Sequence, residues 1–210
     1  IFTGQAYLSS AILSSAVGPF AEFEKNREPM LHVIHKHMES LQQVQRKYVP
    51  DSLWSAAEEV WNDAYEMGYK YGYRNAQVTV LAPTGTIGFM MDCDTTGIEP
   101  DIALVKYKKL VGGGQIKLVN TTVAPALRRL GYPEDHVREI LQHIEMNDTI
   151  EGAPHLSPEH LQVFDCAFKT ANGERYIHYL GHIRMRSAAQ PFHSGAISNT
   201  VNIPNHSTTE

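Results

Sequence analysis

Cysteine is scarce: Cys93 and Cys166 are the only two in 210 residues. They are too few for a disulfide framework and have no CxxC spacing, which suits a reducing compartment and leaves each as a buried thiol or a redox group. A basic excess is also missing. The formal charge of -5 and pI near 6.1 supply no field for a polyanion, so polymeric DNA or RNA is not an expected partner. A small anion can still bind locally. No apolar stretch approaches the roughly 20 residues that cross a bilayer, and the opening IFTGQAYLSS has no positive n-region or cleavage pattern. No membrane association is expected, and the cytoplasm is the expected compartment. Walker, GxGxxG, HExxH and EF-hand patterns are absent, as are internal repeats and low-complexity tracts.

What is present is a chain with 42% hydrophobic residues, enough for a sizeable core. It begins with Ile and ends in NHSTTE, so a piece of a longer polypeptide is expected. AYLSSAILSSA reads as helical, and so does REPMLHVIHKHMESLQQVQRK, with Met30, Val33, Ile34, Met38 and Leu41 at helical spacing and Pro29 in the first turn. DSLWSAAEEVWNDAYEMGYKYG predicts a helix capped by Asp51 and ended by Gly72. AQVTVLAP predicts a strand stopped by Pro83, DIALVKYKKL a helix or short strand, and GGGQIKLVN a glycine-led strand. Two helices follow over TTVAPALRRLG and PEDHVREILQHIEMN, then helices over SPEHLQVF and ERYIHYLGHIRMRSAAQPF, and a strand over GAISNTVNIP. This alternation predicts an α/β fold with a parallel sheet and crossover helices, open or closed as a barrel.

The richest stretch is LAPTGTIGFMMDCDTTGIEP, residues 81 to 100. In α/β architectures ligands sit beyond the carboxyl ends of strands, where PTGTIG is expected. Gly85 permits a tight turn and close approach, and the Thr84 and Thr86 hydroxyls with neighbouring amides can form one concavity suited to phosphate oxygens. A helix opening after Thr86 would strengthen the site. The alternative is an ordinary Pro-Thr-Gly-Thr turn. VGGGQ reads as a turn. Asp92, Asp94 and Glu99 are acids or hard-cation ligands on one reading, and carboxylates bonding nearby amides on the other. His32 and His35 stand about one helical turn apart but lack further ligands; His155, His178 and His182 have no nucleophile motif beside them.

LAPTGTIGFMMDCDTTGIEPDIALVKYKKLVGGG, YRNAQVT, EGAPHL, HLQVFDCAF, GHIRM and AAQPFHSGAISNTVNIPN resemble, in order, segments of the adenosylcobalamin-dependent (class II) ribonucleotide reductases. The resemblance runs from about Ala6 to Asn205. It implies part of a ten-stranded α/β barrel built of two half-barrels, with residues 1–210 in its later half. It implies that Pro83, Thr84, Gly85, Thr86 and Ile87 bind the phosphates of a ribonucleoside di- or triphosphate. It further implies adenosylcobalamin as cofactor, a thiyl radical that removes the 3′ hydrogen, an external thiol reductant, and a role in making deoxyribonucleotides for DNA synthesis. The activity implied is that of a vitamin B12-dependent ribonucleoside-diphosphate reductase.

The chain has no Asn-x-Cys-x-Glu finger-loop motif and no cysteine-rich tail, and Cys93 and Cys166 match other parts of the family. No catalytic residue is therefore assigned, and the chain alone is expected to be inactive. Two alternatives stand beside this reading: an inactive binding module for phosphate ligands, and a segment of a metal-radical (class I) large subunit. A half-barrel with unpaired edges is expected to dimerise, rearrange or remain marginal in stability.

Overall fold

The computed structural model describes residues 1–109, 112–198, 200, 201, 203 and 208, with Phe89 described by its backbone only. Its helices are α1 (Phe2–Val17), α2 (Arg27–Gln42), α3 (Asp51–Tyr71), α4 (Gly85–Met90), α5 (Val123–Arg129), α6 (Glu134–Asn147) and α7 (Tyr179–Ala189). Two strands, β1 (Val105–Lys109) and β2 (Gln115–Val119), stand between α4 and α5. The chain divides into two compact units, one of residues 1–82 with 186–198, the other of 83–185 with 199–210.

The first unit is helical. Along α3 the buried positions Trp54, Ala57, Val60, Trp61, Ala64 and Gly68 recur every three or four residues, making one apolar face that packs on both α1 and α2. On α2 the buried face is Met30, Leu31, Ile34, His37 and Leu41; Val33, expected inside, is 40% exposed. Pro50, not Asp51, occupies the cap position of α3, and the Asp51 carboxylate instead pairs with Arg46 at 2.7 Å. The serines of α1 explain why an apolar helix carries so many small polar residues. Ser14 donates to the Tyr71 carbonyl at 2.6 Å, Ser10 accepts from the Asn75 N–H at 2.9 Å, and the Tyr7 hydroxyl donates to the Ala76 carbonyl at 3.2 Å. These bonds strap the chain returning from α3 along one side of α1.

That strap includes AQVTVLAP, where a strand was predicted. The β-branched run takes no ladder of its own: only Leu81 pairs, as an isolated parallel bridge to Ile197. Backbone donors at Val78 and Thr79 are satisfied by the Ser194 side chain instead. The strand predicted over GAISNTVNIP is likewise reduced to Ile197; Asn199, Asn202 and Pro204 of that segment lie outside the described residues.

The second unit has a separate core of Val123, Leu127, Val137, Ile140 and Ile144 from α5 and α6, joined by Leu104, Val105, Ile150 and Phe164. The predicted glycine-led strand and its partner form an antiparallel hairpin in register Val105↔Val119 to Lys109↔Gln115. The expected parallel sheet with crossovers is thus absent among the described residues, where the one regular sheet is this hairpin. Gly112, Gly113 and Gly114 all have φ between 93° and 98°, so the VGGGQ turn requires glycine for its backbone angles. SPEHLQVF, predicted helical, winds as a 3-10 turn over Pro158–Phe164.

Candidate functional site

All five residues from Pro83 to Ile87 are exposed. The left-handed residue of the bend is Thr84, with φ 51°. A β-branched residue in that region costs on the order of 1–3 kcal/mol, and such strain concentrates at ligand-holding turns. Gly85 has a different role: no atom lies within 4 Å of where its Cβ would be, and it lines an open cleft of about 620 Å³.

The helix expected after Thr86 opens two residues earlier, at Gly85. Its first-turn N–H groups, those of Gly85, Thr86 and Ile87, have no carbonyl four residues back within the helix and are presented at the exposed bend. At six residues, α4 is too short for the dipole argument to add much. The site stands on local donors. Thr84 fixes the bend twice, its carbonyl accepting from the Gly88 N–H at 2.7 Å and its hydroxyl oxygen from the Gly97 N–H at 3.3 Å. That hydroxyl still carries a proton to donate.

The carboxylates beside the loop brace it. Asp94 accepts from both the N–H and hydroxyl of Thr121, at 3.1 and 2.5 Å, and Glu99 accepts from the Thr200 N–H at 2.8 Å. Asp101 receives Lys106 Nζ at 2.9 Å and Asn120 Nδ2 at 2.5 Å, while the same ammonium donates to the Asp94 carbonyl at 2.6 Å. Of the two readings of the loop acids, bonding to nearby donors describes Asp94 and Glu99; Asp92 takes a left-handed turn, with φ 54°. Among the described residues no three His, Cys, Asp or Glu side chains converge to hold a metal.

The histidines lie elsewhere. His155 bonds Glu139 at 2.8 Å and stacks on His136, His35 pairs with Glu39 at 3.4 Å, His32 is exposed, and none of His32, His35, His155, His178 or His182 lines the cleft. The cysteines separate by environment. Cys93 is exposed and lines the cleft; Cys166 is buried, and burial, with Asp101 and Asp165 nearby, pushes its thiol up to about 12. A thiol so desolvated is inert at neutral pH. Sequence reasoning missed Lys106 and Asn120 as braces and Ser194 as a support, because their partners lie 5 to 116 positions away.

The sequence model for the barrel domain of ribonucleotide reductase matches residues 1–210. The chain belongs to the ribonucleotide reductase barrel-domain family. Among relatives of this barrel-domain chain, the vitamin B12-dependent ribonucleotide reductase of Rhodopirellula baltica is 59% identical over 201 residues, covering 96% of the chain and 19% of that protein. The vitamin B12-dependent ribonucleotide reductase of Streptomyces coelicolor is 49% identical, covering 100% of the chain and 21% of that protein. A vitamin B12-dependent ribonucleoside-diphosphate reductase of Mycobacterium tuberculosis is 34% identical over 131 residues. The chain therefore spans about a fifth of the length of the first two relatives. The family assignment agrees with an α/β fold; the described residues do not themselves close a barrel.

Proposed function

We propose that this chain is the substrate-phosphate-binding part of a vitamin B12-dependent ribonucleotide reductase, which reduces ribonucleotides to deoxyribonucleotides for DNA synthesis. The observation that carries the reading is the exposed bend at Pro83–Ile87, with three first-turn amides and two threonine hydroxyls, and with Gly85 lining a cleft of about 620 Å³. Such donors suit the oxygens of a nucleoside di- or triphosphate. The cleft wall beyond carries Asp92, Asp94, Glu99 and Asp101, which suits the hydroxyls of a ribose better than its anionic tail. Binding there would hold the sugar in one orientation and limit water around it, the protein's share of catalysis when a cofactor does the bond breaking.

When bound, adenosylcobalamin supplies the initiating radical. Among the described residues no three His, Cys, Asp or Glu side chains converge, and no residue of this chain is assigned to the cofactor. On this reading the chain contributes to a ten-stranded barrel, works in the cytoplasm with an external thiol as reductant, and pairs as a homodimer. The names of the three relatives favour cobalamin over a metal-radical subunit.

The test is a nucleotide titration of the full-length reductase carrying Thr84→Ala together with Thr86→Ala. Losing two neutral donors is expected to cost at least about 1 kcal/mol of binding. Unchanged affinity for both di- and triphosphates would remove the loop from the substrate site.

A further inference from the structure

The strap that leads into the loop is pinned by one side chain. Ser194 Oγ accepts the N–H of Val78 at 2.9 Å and of Thr79 at 2.9 Å, and its own proton reaches the Thr79 carbonyl at 3.2 Å. One hydroxyl thus reaches the backbone of two consecutive residues, as acceptor and as donor. The Ser194 N–H adds a bond to Thr79 Oγ1 at 3.3 Å. Gly195 makes the approach possible: a Cβ there would stand 2.7 Å from the Thr79 carbonyl oxygen. Two positions further along, Leu81 exchanges backbone bonds with Ala196 and Ser198 at 3.1 and 2.8 Å, and Pro83 follows two residues later.

Residues 77 to 80 belong to no β-ladder, so these bonds take the place of a sheet in fixing the strap. Pro83–Ile87 are all exposed, Thr84 bonds forward to Gly88 and Gly97, and on its other side the loop continues directly from this strap. We propose that Ser194 is a positioning residue for the phosphate loop: its hydroxyl sets the register of the strap from which Pro83–Ile87 begins, and thereby the affinity for the substrate's anionic tail. The inference rests on the reading of residues 83–87 as phosphate-binding.

The experiment is steady-state kinetics of the full-length reductase with a ribonucleotide substrate. Ser194→Ala is expected to raise KM roughly tenfold, equivalent to ~1.4 kcal/mol. Because a displaced loop loses uniform binding, kcat is expected to stay within about twofold. Ser194→Thr keeps the hydroxyl and is expected to return KM to within about threefold of the parent. Gly195→Ala keeps the hydroxyl but pushes Thr79 away, and is expected to raise KM as well, which preserves the test if Ser194→Ala does not fold. An unchanged KM in both Ser194→Ala and Gly195→Ala, or a raised KM that threonine fails to rescue, overturns the proposal. The paired Thr84→Ala, Thr86→Ala protein separates the two claims. If it binds weakly while Ser194→Ala is normal, the serine proposal alone fails; if it binds normally, the phosphate reading fails and the serine proposal with it.

Discussion

His37 is 6% exposed, with its ring stacked on Trp61 at 5.0 Å and Nδ1 donating to the Pro191 carbonyl. Burial holds its pKa below the ordinary 6.5, and the neighbouring charges His193 and Lys36 push the same way, against the raising effect of the Pro191 bond. Tyr7 from α1 packs on the same ring and stays neutral, its own pKa raised by burial. His193 is also depressed by burial. A histidine depressed in the folded state binds fewer protons than in the unfolded chain between the two pKa values, so its contribution is present above 6.5 and is lost as pH falls through the folded value. Thermal unfolding followed from pH 7.5 to 5 is expected to show falling stability, with a shallower slope for His37→Gln. A parent and variant of equal slope would mean that His37 is not held neutral. Residues also mark the boundary of sequence reasoning. Thr84, Gly85 and Thr86 stood out by type, yet no local pattern announces that the threonine, not the glycine, takes the left-handed angle.

At the scale of elements, α1 and α3 show how small residues set distance. A Cβ on Gly4 would lie 2.9 Å from Val60 Cγ1 and 3.2 Å from the Trp61 ring, both in the buried face of α3. Gly4→Ala is expected to destabilise by about 1–3 kcal/mol through overpacking, although alanine is the better helix former. Chemical denaturation of the parent and variant measures this; a neutral or stabilising result would mean that the two helices part freely. Helices were readable from sequence because their apolar period is local, as in α3, where Ala57, Val60, Trp61 and Ala64 are buried as their spacing suggests, although Leu53 is exposed and Trp54 takes its place inside. The strands were less so. VTVL has strand composition, but its neighbours are a serine hydroxyl and a single bridge residue more than a hundred positions away, and composition does not encode a partner.

At the scale of the whole molecule, two hydrophobic cores account for the chain, one around Trp61 and Tyr7 and one around Ile140 and Leu127. The sequence suggested α/β alternation but did not announce two units, because the apolar content is continuous across Ala82 and the division depends on which distant segments return. The resemblance spoke for the family and the residue patterns for the loop, and both led to residues 83–87; the braces at Asp101, Lys106 and Asn120 emerged only from tertiary contacts. The most direct measurement of the central claim is deuterium exchange of the full-length reductase, read at the peptide containing residues 83–88, with a nucleoside diphosphate and with the matching nucleoside. The account predicts slower exchange with the diphosphate and no change with the nucleoside. Equal exchange with both ligands, or protection by the nucleoside alone, would contradict it.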